Sequence, residues 1–410
     1  MQTHGDGTKL DTILNKPPAR VIDITRLVRR AGRVLTGVDR VEIAYVRALL
    51  DDGCPVLALA RTPFGYVLLD QTGLIAMEQR LSGAIPFSKP DLLSRLQRKL
   101  SLAERGAQTD VRKLSLARCL PHKLAAMLAD HVPKGASYLN VGHSNLTARV
   151  LQAAKSALGG TVAVMIHDVI PLDFPQYQRA GSVELFRNKL RRTRAFADIV
   201  IYNSADTQAR SETHMREWGG VPLGIVAHLA TDLPVPNPEF TCPNSPYFVA
   251  IGTIEPRKNH AFLLDLWEEM GAAAPHLHIC GGRGWNNSDV FARLDALPAN
   301  SQITEQTGLT DGDMAALLAG SNGLLFPSFA EGFGLPPIEA ACLGVPIISN
   351  PLAVLRETLG DIPVYADVSD RYLWINTIKE LAQADPKAHG AGTYIPSNWG
   401  DHFKIALRMF

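Results

Sequence analysis

The sequence predicts an α/β chain of two doubly wound domains, each with a parallel sheet, facing one another across a central cleft. Three observations lead there. Short apolar runs alternate with helix-patterned segments through both halves of the 410 residues. A proline-rich stretch separates those halves. Hydrophobic content of 46% with 20% charged residues fits a globular chain long enough for two domains of ordinary size.

The elements follow in order. Arg20–Thr25, Pro55–Ala60, Tyr138–Val141, Val162–Ile166 and Asp198–Tyr202 are apolar and short enough to be buried strands. Helical patterns over Asp39–Leu50 and Leu146–Leu158 lie between some of them. Tyr247–Ile251, Leu277–Cys280, Gly323–Phe326 and Pro346–Ser349 repeat the pattern in the second half. Strands separated by helices imply parallel sheets. Leu233–Pro246 holds prolines at 234, 236, 238, 243 and 246, so it forms neither helix nor ladder and reads as a stiff connector. The expected units are an acceptor-side domain over 1–235, a ligand-binding domain over 236–395, and a final segment, 396–410, whose helix packs back on the first domain.

Composition narrows the classes. A net charge of +1 supplies no field to draw the chain to nucleic acid. No apolar run reaches membrane-spanning length, and the polar start Met1–Asp6 lacks a signal-peptide core. Cys54, Cys119, Cys242, Cys280 and Cys342 are scattered, with no CxxC pair for metal or redox work, which suits a reducing, cytoplasmic setting. Residues 89–123 carry nine Lys/Arg against three Asp/Glu, with Leu92, Leu93, Leu96 and Leu100 at helical spacing. A second basic run covers 187–194. Both read either as solvated helix faces or as surfaces for anionic lipid at the inner face of a membrane, or for a phosphate-bearing acceptor.

Two segments carry the chemistry. In Phe326–Ala341, a strand leads through Glu331-Gly332-Phe333-Gly334 and the pair Pro336-Pro337 into a helix bearing Glu339. Proline suits a first helical turn, and a helix start favours an anion. Carboxylates at both ends suit a ligand with phosphates and hydroxyls, as in a sugar nucleotide. In Ile251–His260, a glycine at a strand end precedes Arg257 and Lys258, cations suited to a diphosphate leaving group. Asp311-Gly-Asp313 has the D-x-D form of a metal site but opens a helix, so capping and dipole pairing explain it better and no metal is expected. Gly281-Gly-Arg-Gly lacks the spacing for a nicotinamide dinucleotide. His167-Asp168 and His143 each follow an apolar strand and could cap it or face the cleft.

These segments resemble the retaining glycosyltransferases of family 4, which have the GT-B fold of two facing Rossmann-like domains. The likeness is strongest over Tyr247–Glu357. It rests on Glu331…Glu339 as E-x7-E, Gly252…Pro256-Arg-Lys-Asn259, Gly281–Trp285, Thr307–Thr310 and Ser349–Glu357. Leu35-Thr-Gly-Val-Asp-Arg-Val41, His167–Leu172, Asp198–Ser204 and Ser397–Trp399 extend it more faintly. The resemblance implies that Arg257 and Lys258 hold a donor diphosphate. It implies that Glu331 and the backbone of Gly332, Phe333 and Gly334 meet the transferred sugar, that Leu335 belongs to the donor-binding set, and that Glu339 accepts from the ribose. Gly37 would admit the phosphates closely, Gly308 and Leu309 would lie near the base, and His167 would sit opposite, near the sugar. No cofactor is implied beyond the co-substrate, a GDP- or UDP-sugar. The expected activity is metal-independent, retaining transfer of a hexose, mannose by a loose likeness of Gly281–Trp285 and His167–Leu172 to bacterial mannosyltransferases. The acceptor would be a glycan or a polyprenyl-diphosphate-linked oligosaccharide. Two other readings compete: a glycoside hydrolase using Glu331 and Glu339, and a non-catalytic nucleotide-sugar-binding module.

Overall fold

The computed structural model describes residues 16–243, 246–385 and 394–410. Eight strands form the first sheet: β1 (Arg20–Asp23), β2 (Val56–Thr62), β3 (Gly65–Leu69), β4 (Ala117–Cys119), β5 (Ser137–Asn140), β6 (Val162–Ile166), β7 (Ile199–Tyr202) and β8 (Leu223–Val226). Their order is β4-β3-β2-β1-β5-β6-β7-β8. From β2 to β8 neighbouring strands run parallel. At the other edge β3 and β4 run antiparallel, a departure from a purely parallel sheet. The cause is local: only Pro63 and Phe64 separate the paired Thr62 and Gly65, and a two-residue loop can join only antiparallel strands.

The second sheet is parallel throughout: β9 (Tyr247–Ile251), β10 (His276–Cys280), β11 (Ile303–Gln306), β12 (Gly323–Phe326), β13 (Ile347–Ser349) and β14 (Val364–Tyr365). Its order, β11-β10-β9-β12-β13-β14, reverses direction between β9 and β12. The first sheet reverses between β1 and β5. In open α/β sheets a ligand crevice opens at the carboxyl ends of strands at such a reversal. Both expected motifs, after β9 and after β12, lie there.

The strands are buried because they are apolar on both faces; Val249, Phe248, Leu324 and Ile348 are fully covered. One apolar cluster runs from Ile22 and Val41 through Leu229 to Phe333 and Ile338, so the two halves share a core. The helix Trp399–Ala406 closes the chain against the first domain. His402 bonds the Tyr45 hydroxyl (2.8 Å) and the His228 carbonyl (3.0 Å), and Arg20 donates to the Phe410 carbonyl.

The leucine pattern at Leu92–Leu100 gives less helix than its spacing predicts. Asp91 caps a single turn, Leu92–Arg95, by accepting from the Ser94 amide, and the chain then turns away. Among the described residues little packs over that face: Leu92 is 78% exposed and Leu96 71%.

Candidate active site

The glycine turn after β12 is shaped by its residue types. Gly334 takes φ +88° to start the helix Leu335–Cys342, and a Cβ there would lie 2.4 Å from Leu355 Cδ2. The amides of Gly332, Phe333, Gly334 and Leu335 donate to no acceptor among the described residues. Pro336 and Pro337 have no amide, so the free donors belong to the turn itself. Phe333 turns its ring inward, 6% exposed and packed near His228. Only its backbone is available to a ligand.

Arg257 and Lys258 form the one-turn 3₁₀ helix after β9. They already have partners. The Glu331 carboxylate lies 2.9 Å from Arg257 Nη1 and 2.7 Å from Lys258 Nζ, and Glu255 lies 2.6 Å from Arg257 Nε. Burial alone would raise the Glu331 carboxyl, but the two cations prevail and hold it at about 2. Burial lowers the Lys258 amine more than Glu331 restores it. This cluster is therefore prearranged: two cations held by two carboxylates at the edge of a cavity.

That cavity, about 600 Å³, lies between the domains, a size that takes a nucleotide-sized ligand. The second domain contributes Thr253, Arg257, Lys258, Gly281, Gln306, Gly308, Leu309, Leu335 and Glu339, and the first contributes Leu35, Thr36, Gly37 and Arg40. Gly37 begins the helix Gly37–Asp51, and a Cβ on it would come within 3.3 Å of Leu335. Burial among apolar wall residues pushes the Glu339 carboxyl up to about 7, although Arg40, 3.9 Å away, opposes this. Arg40 spans the cleft to Asp311 at 2.7 Å. Asp311 and Asp313 sit in the first turn of Asp311–Ala319, where Thr310 is the cap and Asp313 accepts from Asn237.

His167, Glu331 and Gly332–Gly334 do not line that cavity. They meet instead at the adjoining contact between the domains. A Cβ on Gly332 would fall 2.6 Å from the His167 carbonyl oxygen and 3.1 Å from Asp168 Cβ. Asp168, raised by burial, feels both Arg257 and Glu331. The His167 ring is 5% exposed; its Nε2 is 2.6 Å from the Val141 carbonyl, and burial lowers its pKa to about 4. It is therefore neutral at pH 7. With Nε2–H donating to that carbonyl, Nδ1 is the lone pair. His143, at φ +55°, packs on it with ring centres 5.0 Å apart.

Two residues inside quoted motifs were given no role of their own by the sequence. Arg40 is one basic residue among many, and only the fold sets it against Glu339. Glu357, at the end of a motif, accepts from the Ala205 and Asp206 amides (2.7 and 3.0 Å) and pairs with His228 at 2.7 Å. It thus caps a helix of the other domain. Across the cleft, Tyr177 stacks on Phe329 at 5.4 Å and its carbonyl accepts from Trp285.

Known proteins resemble this chain in sequence and in fold. Residues 238–383 match the family model described as "Glycosyl transferases group 1". The chain is 31% identical over 238 residues to an Escherichia coli serotype-specific mannosyltransferase, WbdA, spanning 53% of this chain and 28% of that relative. It is 34% identical over 128 residues to O-antigen chain mannosyltransferase B of E. coli, spanning 30% of this chain and 33% of the relative. The chain thus spans about a third or less of the length of these relatives. Among solved structures it resembles Anabaena HepE, crystallised with UDP-glucose, with TM-score 0.58, 15% identity, and 96% and 95% of the two chains covered. At that identity the likeness shows the fold, GT-B.

Proposed function

We propose that this chain, whose second domain is a glycosyl transferases group 1 domain, moves a hexose from a nucleotide-diphosphate sugar to a glycan or lipid-linked oligosaccharide, without a metal and with retention of configuration. The observation that carries the reading is the interdomain cavity, which places Arg257, Lys258, Glu339 and Gly37 around one nucleotide-sized space. Mannose from GDP-mannose is the leading donor, because the similar curated proteins are described as mannosyltransferases. Polysaccharide synthesis on the cytoplasmic side is the setting this suits.

Each part has a task. Cleaving the sugar–diphosphate bond puts charge on the leaving oxygen, and Arg257, Lys258 and the open turn amides stabilise it there. Glu331 fixes those cations and faces the sugar, while Glu339 accepts from the ribose. The leaving phosphate oxygen takes the acceptor proton on the same face. His167, neutral and anchored to Val141, orients the sugar or acceptor and is not required as a base. Its substitution by alanine should cost about tenfold or more in turnover; full activity would remove it from the site.

One observation favours a hydrolase: the two carboxyls titrate far apart, at about 2 and about 7. Yet Glu331 owes its low value to two cations for which a hydrolase has no leaving phosphate. A screen of GDP- and UDP-sugars by thermal shift, then transfer with the best binder, decides. Donor-dependent transfer is expected; cleavage of a nitrophenyl glycoside without nucleotide would support the hydrolase instead. The exposed Leu92 and Leu96, beside exposed Arg95, Arg98 and Lys99, are the proposed contact with an anionic bilayer. Sedimentation with anionic vesicles should fall for Leu92→Ser/Leu96→Ser, and absence of binding would refute the contact.

A further inference from the structure

On the first domain, the side chains of Lys189, Arg192 and Arg29 have no carboxylate partner among the described residues. The helix Ser182–Phe196 carries Phe186, Lys189 and Arg192 three residues apart, which sets them on one face. Phe186 packs against His143 with ring centres 6.1 Å apart, and His143 packs on His167. That face therefore looks onto the wall opposite the glycine turn. The short helix Thr25–Arg29 carries Arg26 and Arg29, whose charges act on Lys189.

The counter-charges nearby are already used. Asp39 gives one oxygen to Arg26 (2.7 Å) and the other to Arg30 (2.8 Å). Glu42 is fully buried, and burial holds its carboxyl well above the usual range. Arg29, Lys189 and Arg192 make no hydrogen bond or ion pair among the described residues. Arg192 Nε is closed off from solvent without an acceptor. Burial, then Arg26, Arg192 and Arg29, lower the Lys189 amine, and no carboxylate counters them. Arg29 is exposed, whereas Lys189 and Arg192 are half-buried. Here repulsion is retained, and a bound anion would relieve it.

We infer that Lys189, Arg192 and Arg29 form an anion subsite on the acceptor wall, built for a phosphate or diphosphate carried by the acceptor. This rests on the transferase reading and narrows it to an acceptor class. Arg26 links the two sites: it donates to Thr36 Oγ1 at 3.1 Å, and Thr36 lines the donor cavity. The acceptor anion would lie one side chain away from the donor.

The test is calorimetric titration of inorganic pyrophosphate into protein saturated with its nucleotide, so that the donor cations are occupied. Wild type should bind, and Lys189→Ala/Arg192→Ala should bind about tenfold more weakly or worse, as expected when charge-assisted contacts are lost. Arg257→Ala should leave this second event unchanged, and unaltered nucleotide affinity in the double variant would show that it folds. Farnesyl diphosphate binding more tightly than pyrophosphate would assign the anion to a lipid carrier; equal binding would assign it to a sugar phosphate. Failure of pyrophosphate to bind, or equal binding by wild type and the double variant, overturns the subsite. Failure of any nucleotide to bind would instead overturn the transferase reading. Pyrophosphate binding that depends on Lys189 but not on Arg257 can still be read in nucleotide-free protein.

Discussion

Glu339 shows how one residue's surroundings set its use. Its folded-state value, about 7, lies above the ordinary 4.5. A raised carboxyl favours the folded state below pH 4.5 and loses that contribution as pH rises toward 7. On the proposed function donor binding runs the opposite way, because ribose hydroxyls would donate to the ionised carboxylate. GDP-mannose affinity should therefore fall as pH drops below 7, approaching about tenfold per unit, and Glu339→Gln should flatten the dependence. A wild-type affinity constant from pH 8 to 5.5 would contradict the assignment. Gly332 is constrained differently: its missing side chain is what lets the turn touch His167 and Asp168. The glycines and paired charges of Glu331–Glu339 were legible in the sequence because their residue types are specific. The partners of Arg40 were not, since Asp311 and Glu339 lie some 270 and 300 positions away and only the fold brings them near.

At the level of elements, the buried parallel strands were legible because continuous apolar runs such as Val162–Ile166 have few alternatives. β3 and β4 were not. β3 follows β2 after two residues and extends the same apolar stretch, while Ala117–Cys119 is only partly buried and borrows its pairing from β3. The bridge between domains also belongs to this scale. Glu357 caps the helix Ala205–Glu217 from the far side of the cleft. Glu357→Ala should lower the unfolding free energy by about 1–2 kcal/mol, the usual value of a lost cap, as read by chemical denaturation. An unchanged midpoint would mean that the contact holds nothing together.

Across the whole molecule, the two reversal points face each other and the shared cluster from Ile22 to Ile338 fixes them in register. The interdomain cavity takes most of its lining from the better-patterned second domain, so much of that lining was foreseeable. The proposed acceptor wall comes from the first domain. There the informative features are convergences of ordinary residues such as Lys189 and Arg29, and no local pattern marks them. The central claim is that Glu331, in the glycine turn, and Glu339, on the helix after it, have separate tasks around one bound sugar nucleotide. Parallel measurement of nucleotide affinity and turnover in Glu331→Ala and Glu339→Ala tests it most directly. Glu339→Ala should lose mainly affinity and Glu331→Ala mainly turnover; equal loss of nucleotide affinity in both would contradict it.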